Sequence, residues 1–233
     1  MGTKDEGEAL RPHRIVLLRH GETEGNVDRT LFERKPDHAH RLTGRGREEA
    51  REAGTRLRAL FGGEDVAVYC SPYVRSRETL EELGLDGRIR LRREEPRLRE
   101  QDFGNFQDRE AMARCRGERD RFGHFYYRFP DGESGGDVYD RVSTFLETMH
   151  RDFERHDYPP NALIVTHGLT MRLFVMRWLH WTVDFFETLE NPGNCEYRCL
   201  ELTDQGYVLD RPFARWTERW PHEGPPGPRP RGD

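Results

Sequence analysis

The sequence has little cysteine, almost no lysine and no long hydrophobic run. Its four cysteines, Cys70, Cys115, Cys195 and Cys199, are too few to staple a chain of 233 residues with disulfides. Cys195 and Cys199 have no second Cys or His pair nearby, so a zinc site is not expected, nor any other metal. A reducing compartment follows, and the expected location is the cytoplasm. No stretch approaches the roughly 20 apolar residues of a membrane span. No apolar segment follows Met1-Gly2-Thr3-Lys4, as a secretory leader would require. The same start only half fits a myristoylation signal, because Glu6 stands where Ser or Thr is wanted. A membrane partner is therefore not expected. Charge of one sign is also missing: 38 basic and 43 acidic side chains leave a net charge of -5 and a pI near 6.1. That is no field for nucleic acid.

What is present is charge of both signs. Charged residues make up 35% of the chain and the hydrophobic set 34%, with a mean hydropathy of -0.97. Such a composition raises the question of disorder. The near cancellation of charge and an aromatic share of 11% answer it in favour of a folded protein with a very polar surface. Lys4 and Lys35 are the only lysines, so nearly all the positive charge is arginine. Most of these arginines read as solvated surface, and an individual one gains a role by position alone.

Residues 1–12 lack periodicity and read as a flexible arm. Residues 15–18 (Ile-Val-Leu-Leu) are wholly apolar, as expected of a strand buried on both faces. Between 43 and 61 the pattern is helical, with Ala50, Ala53, Leu57 and Leu60 on one face and Gly62-Gly63 as the stop. Residues 66–70 form a second buried-type strand, and Pro72 stands near the start of a helix ending about Gly84. A weaker strand covers 88–92. Residues 101–137 look irregular, rich in glycine and in aromatics, and read as a lid-like insertion. Val138, Val142, Phe145, Leu146, Met149 and Phe153 mark one face of an amphipathic helix, with Asp137 as its expected N-cap. Glu133 and Ser134 are the alternatives, as cap or as substrate contact. Residues 162–165 are a third buried strand, followed by a helix over 169–180. A closing hairpin turns about Asp204-Gln205-Gly206. The Pro/Gly-rich stretch 221–233 reads as disordered, which leaves 13–220 as one domain. Alternating strands and helices with continuous apolar strands predict an α/β fold: a doubly wound, mostly parallel sheet with helices on both faces.

In such sheets chemistry gathers at the carboxyl ends of the strands. That rule selects Arg19, His20 and Gly21 after the first strand, Ser71 and Arg75 after the second, and His167 and Gly168 after the third. Two histidines and two arginines thus converge on one sheet edge, with Arg172 a few residues past His167. Two guanidinium forks match the oxygens of a phosphate. A neutral histidine beside them can attack phosphorus, and a second can donate to the phosphoryl oxygens. Singly, each residue is more often structural; their coincidence after strong strands carries the reading.

Arg19-His20-Gly21-Glu22-Thr23-Glu24-Gly25-Asn26 resembles the signature of the histidine phosphatase superfamily, also called phosphoglycerate-mutase-like. Ser71-Pro72-Tyr73-Val74-Arg75-Ser76-Arg77-Glu78-Thr79 resembles its second phosphate-binding element, with Arg75 at the functional position, Leu98-Arg99-Glu100-Gln101-Asp102-Phe103-Gly104 the segment that carries an acid, and Thr166-His167-Gly168 the second catalytic histidine. The likeness extends over about 14–209. Within the superfamily, the segment from Arg99 through Asn105 and Phe106 to Gln107, with Phe129-Pro130-Asp131-Gly132-Glu133-Ser134 and Asp137-Val138-Tyr139-Asp140-Arg141-Val142, is similar to a fungal and plant branch of broad-range acid phosphatases. The resemblance implies that His20 is the nucleophile and Glu100 the proton donor. It implies that Arg19, Asn26, Arg75 and His167 hold the phosphoryl oxygens, with Thr23, Gln101, Phe103 and Gly168 as further substrate contacts. No cofactor is expected, and the partner is a small phosphorylated metabolite. Many relatives self-associate, so a homodimer stays open. In mutases of the family a tyrosine stands three residues after the acid and a lysine eleven after it. Phe103 and Ala111 occupy those places here, which favours hydrolysis over a mutase and leaves a non-catalytic binding module as the remote alternative. Arg109, Arg114, Arg116, Arg119 and Arg121 read as a solvated helix face or as recognition of a second anion.

Overall fold

The computed structural model describes residues 11–104 and 107–216. β1 (Arg14–Arg19), β2 (Val66–Cys70), β3 (Ile89–Glu94) and β4 (Asn161–Thr166) run parallel, in the order β3-β2-β4-β1. β5 (Tyr197–Thr203) and β6 (Gly206–Leu209) add an antiparallel hairpin at the β1 side. The segments between supply α1 (Glu24–Val27), α2 (Gly44–Phe61), α3 (Val74–Glu82), α4 (Arg109–Phe122), α5 (Gly135–Phe153), α6 (Gly168–Leu179) and α7 (Val183–Glu187).

The apolar runs are continuous because each central strand feeds two cores. Side chains alternate across a strand. Ile15, Leu17, Ala67, Tyr69, Ala162 and Ile164 face one layer, filled by Val142, Phe145 and Met149 of α5 and Leu173 and Phe174 of α6. Val16, Leu18, Val68, Leu163 and Val165 face the other, filled by Ala50, Ala53 and Leu57 of α2 and Leu80 of α3. β3 alternates between half-buried and exposed residues, which explains its weaker pattern.

Three local features differ from expectation. Residues 101–137 are not irregular throughout, since α4 occupies fourteen of them. Its only buried residue is Met112, so it carries no apolar stripe from which periodicity could be read. The cap of α5 is Ser134, not Asp137. The Ser134 hydroxyl accepts from the Asp137 backbone N–H at 3.2 Å, and the Asp137 carboxylate accepts from the Ser134 N–H at 2.7 Å. This reciprocal box moves the helix start upstream, across Gly135-Gly136. Gly135 is needed there, because a Cβ would stand 2.5 Å from the His124 carbonyl oxygen. The short α7 has no counterpart in the sequence reading.

The chain is engaged with the fold from Pro12, which is buried and whose carbonyl accepts from the Tyr207 hydroxyl at 2.6 Å. The Pro/Gly-rich stretch 221–233 and most of the 1–12 arm lie outside the described residues. Among the described residues no helix is long and apolar enough to cross a membrane.

The turn after β1 is held against the first turn of α2, backbone to backbone. A Cβ on Gly21 would meet the Gly46 carbonyl oxygen at 2.5 Å, and one on Gly46 would meet the Glu22 carbonyl oxygen at 2.1 Å. Gly46→Ala should therefore destabilise the protein by about 1–3 kcal/mol through overpacking. Gly44→Ala, with no atom within 4 Å of the added methyl, should be neutral or mildly stabilising. Urea denaturation of the two variants beside wild type checks this, and equal stability of both would refute the close approach.

Candidate active site

Because β4 lies between β1 and β2, three strand ends open side by side. The pairing continues past the strands: His20 N–H donates to Thr166 O at 3.0 Å and Ser71 N–H to Val165 O at 2.9 Å. His20, Ser71 and His167 are thereby brought to one point. The two imidazoles meet edge to face with centroids 5.2 Å apart, and both are buried, at 4% and 0% exposure.

The His20 Nδ1 lies 2.8 Å from the Gly21 carbonyl oxygen. A carbonyl only accepts, so Nδ1 carries the proton and Nε2 keeps a free lone pair. His167 Nε2 is 2.9 Å from the Ser71 hydroxyl. Its Nδ1 is buried without a hydrogen-bond partner, 4.0 Å from a Glu100 carboxylate oxygen. Burial holds both imidazoles well below the ordinary histidine value, reinforced by the Arg75 guanidinium and, more weakly, by Arg19. Both rings are neutral at physiological pH.

Arg75 projects from the first turn of α3 and is buried. Its NH1 donates to the Asp37 carbonyl at 2.7 Å and to Asp37 Oδ1 at 3.1 Å, its NH2 to Oδ2 at 3.2 Å. The guanidinium carbon lies over the Tyr73 ring, 4.7 Å from its centroid. Arg19 NH1 donates to the Pro192 carbonyl at 2.6 Å, while its Nε is buried with no hydrogen-bond partner. Burial lowers the Arg19 value from its ordinary level, with Glu100 opposing.

The Glu100 side chain is 16% exposed, and burial raises its carboxyl above the usual carboxylate range despite Arg75. One oxygen accepts from the Gln101 N–H at 3.0 Å. The segment leading to it is braced from two helices and a strand. Arg141 of α5 donates to the carbonyls of Arg97, Arg99 and Glu100 at 2.6, 2.9 and 3.1 Å. Thr166 and Thr170 hydroxyls donate to Leu98 O and Arg99 O. Glu133 accepts from Arg141 at 3.0 Å and pairs with Arg99. Glu133 is thus no helix cap; its carboxylate serves Arg99, Arg141 and the Asp102 N–H. Arg141, Glu133, Ser71, Tyr73 and Asp37 belong to the site or its frame; no motif pointed to Asp37, and Arg141 stood within the family-like segment 137–142 without a role of its own.

The other expected residues divide. Asn26 is exposed, and its carbonyl oxygen accepts from the Thr23 N–H, so only its amide N–H groups are free to turn elsewhere. Thr23 is buried as the cap of α1. The Gln101 amide donates to the Glu133 carbonyl at 2.9 Å. Gly168 opens α6 where a Cβ would stand 2.7 Å from the Asn191 side chain. Arg172 does not join the cluster: it is buried behind it, donating to Asn191 and Leu189 and resting on the Phe186 ring. Phe103 packs on Phe129 at 5.0 Å and lines a cavity of about 210 Å³ together with Asp37, His38, Tyr73, Gln101 and Gln107. Tyr127 and Phe129 complete a small core under the segment, whereas Phe122 and Tyr126 are exposed. Of the α4 arginines, Arg109 pairs with Glu33 and Arg119 lies over Phe129, while Arg114 and Arg121 are exposed. Asn105 and Phe106 lie outside the described residues. Among the described residues no three His, Cys, Asp or Glu side chains cluster as metal ligands would.

The sheet order and the strand-end site define a known class. The α-ribazole phosphatase of Shigella flexneri superposes with a TM-score of 0.69 over 87% of this chain and 96% of its own, at 22% identity, a likeness of fold. A protein of Mycobacterium tuberculosis does so at 0.66 over 88% and 99%, with 25% identity. Residues 15–214 match the histidine phosphatase superfamily (branch 1), and the chain belongs to that family. Its relatives include a phosphoglycerate mutase-like protein of Arabidopsis thaliana, 51% identical over 84% of this chain and 76% of that one. The broad-range acid phosphatase of Saccharomyces cerevisiae is 30% identical over 89% and 91%.

The buried neutral imidazoles set a stability slope. In the unfolded chain a histidine takes up its proton near its ordinary value of 6.5; in the fold His20 and His167 do so only at much lower pH. The unfolded state therefore binds more protons below 6.5, and stability falls as pH drops through that point. Glu100, shifted upward, contributes in the opposite sense above its ordinary 4.5. His20→Gln should flatten the slope of unfolding free energy between about pH 5 and 6.5 by up to ~1.4 kcal/mol per pH unit. An unchanged slope would mean that His20 is charged in the native protein.

Proposed function

We propose that the protein is a phosphomonoesterase acting on a small phosphorylated metabolite through a phosphohistidine on His20. The observation that carries this reading is the 2.8 Å bond from His20 Nδ1 to the Gly21 carbonyl, which turns an unprotonated Nε2 to the site. In the first step Nε2 attacks phosphorus, the bond from phosphorus to the leaving oxygen breaks, and Glu100 gives that oxygen its proton. In the second, the Glu100 carboxylate takes a proton from water, whose oxygen attacks phosphorus. The P–N bond then breaks and its electron pair returns to Nε2, so His20 and Glu100 regain their initial states.

Arg19, Arg75 and His167 hold the phosphoryl oxygens, with Asn26 as an added donor. Ser71 supplies its hydroxyl proton to His167 Nε2, so His167 Nδ1 keeps a proton to donate. These positive or donating groups lie where charge gathers in the transition state, and burial strengthens each of them. Neutral His20 and protonated Glu100 are both required at the start, and their opposite displacements support that pairing. Activity should fall at low pH as His20 protonates and at higher pH as Glu100 ionises. The mouth, walled by Tyr73, His38 and Phe103, takes the leaving group. Phe103 and Ala111 offer no polar grip on a second phosphate, which favours water over a second substrate as the acceptor. The naming of the yeast relative as a broad-range acid phosphatase agrees with this reading.

Phosphate release from p-nitrophenyl phosphate in excess EDTA should persist in wild type and drop at least ~10³-fold in His20→Ala. Glu100→Gln should lose far more activity on alkyl phosphates than on p-nitrophenyl phosphate, whose leaving oxygen needs little protonation. Turnover that survives in His20→Ala would reject the mechanism, and equal losses on both substrates would reject Glu100 as the acid.

A further inference from the structure

Asp37 lies on a short 3-10 turn, Asp37–Ala39, in the loop between α1 and α2. Three of the five N–H groups of Arg75 are given to this one residue. NH1 uses both its hydrogens, one on the Asp37 backbone carbonyl and one on Oδ1; NH2 uses one, on Oδ2. The carboxylate therefore fills the end-on fork of the guanidinium, and the carbonyl fills the flank of NH1. What remains is the Nε–H and the outer hydrogen of NH2. These lie on one edge and form the second, side-on fork that arginine offers to a pair of oxygens.

We propose that Asp37 is a positioning residue that locks Arg75 so that its side-on fork faces the phosphoryl group. This rests on the reading of Arg75 as a phosphate ligand given above. Tyr73 backs the guanidinium with its ring, the centroid 4.7 Å from Cζ, and the two-oxygen grip of Asp37 fixes its orientation.

The same pairing has an electrostatic consequence for the acid. Glu100 is faced by Arg75 from α3, Arg19 from β1, His167 and Arg172 at α6, Arg141 from α5 and Tyr73. The cations among these favour its ionised form, and Asp37 is the acidic neighbour that opposes them. By neutralising much of Arg75, Asp37 helps Glu100 to hold the proton that the leaving group needs. One residue then serves both halves of the site: geometry for the phosphoryl group and charge balance for the acid.

Two variants of the full chain separate these roles. Binding of inorganic phosphate is read by calorimetry, which needs no turnover, and KM, kcat and the pH profile are read with p-nitrophenyl phosphate. Asp37→Asn should raise the phosphate Kd and the KM about tenfold, as expected for loss of a charge-assisted fork. It should lower kcat by less than that, and move the alkaline limb of the rate profile to lower pH. Asp37→Glu keeps the charge but cannot keep the register, so it should leave the alkaline limb in place while phosphate binding stays weakened. Tighter phosphate binding by Asp37→Asn would show that Asp37 competes with the ligand and would overturn the proposal. So would unchanged Kd and unchanged pH profile in both variants. Turnover that survives in His20→Ala defeats the mechanism proposed above, yet the calorimetric effect of Asp37 is still read on its own.

Discussion

A single backbone carbonyl, that of Gly21, decides which nitrogen of His20 keeps its lone pair. For it to face Nδ1, the chain must leave β1 in a turn that lies directly on the first turn of α2, a contact in which neither Gly21 nor Gly46 has room for a Cβ. That turn of α2 is in turn held by Thr43, whose hydroxyl accepts from the Gly46 N–H at 3.0 Å. The tautomer of one imidazole is thus determined by a helix cap more than twenty residues away in sequence. Side chains at the site are arranged by backbone that has already satisfied its own hydrogen bonds.

The second constraint is the concentration of positive charge in a dry place. Arg19, Arg75, Arg141 and Arg172 all come close enough to the two histidines or to Glu100 to influence their protonation. Each spends part of its donor capacity on protein acceptors: Pro192 for Arg19, Asp37 for Arg75, the 97–100 carbonyls for Arg141, and Asn191 and Leu189 for Arg172. Buried cations need such partners. The result is a graded set, in which Arg75 and Arg19 surround His20, Arg141 braces the loop that bears Glu100 and Arg172 supports the frame from behind.

Residues with local signatures were legible in the sequence. The three buried strands could be read because each shows an unbroken apolar run, and their ends named His20, Arg75 and His167 without any coordinates. Glu100 needed the resemblance to a family, since an acidic residue in a loop has no signature of its own. α4 was hidden because Met112 alone is buried along it, and the start of α5 was hidden by Gly135-Gly136, which look like a break and are in fact a close approach. Asp37 carried no signal at all, and Arg141 stood in a family-like segment that said nothing of its role. Their roles arise from partners 41–44 and 38 residues away, and no pattern along the chain encodes such pairings.

The core invests little in α4. Strands and the helices that flank them are tied into two continuous cores, whereas α4 contributes one buried side chain and is otherwise attached by polar contacts such as Arg109 to Glu33. A segment so lightly anchored can be lengthened, shortened or exchanged with little loss of overall stability. It also follows directly on the loop that bears Gln101 and Phe103 at the mouth of the cavity. The architecture therefore leaves one peripheral helix open to rewriting, while the strand ends that hold His20, Ser71 and His167 are pinned by the sheet itself.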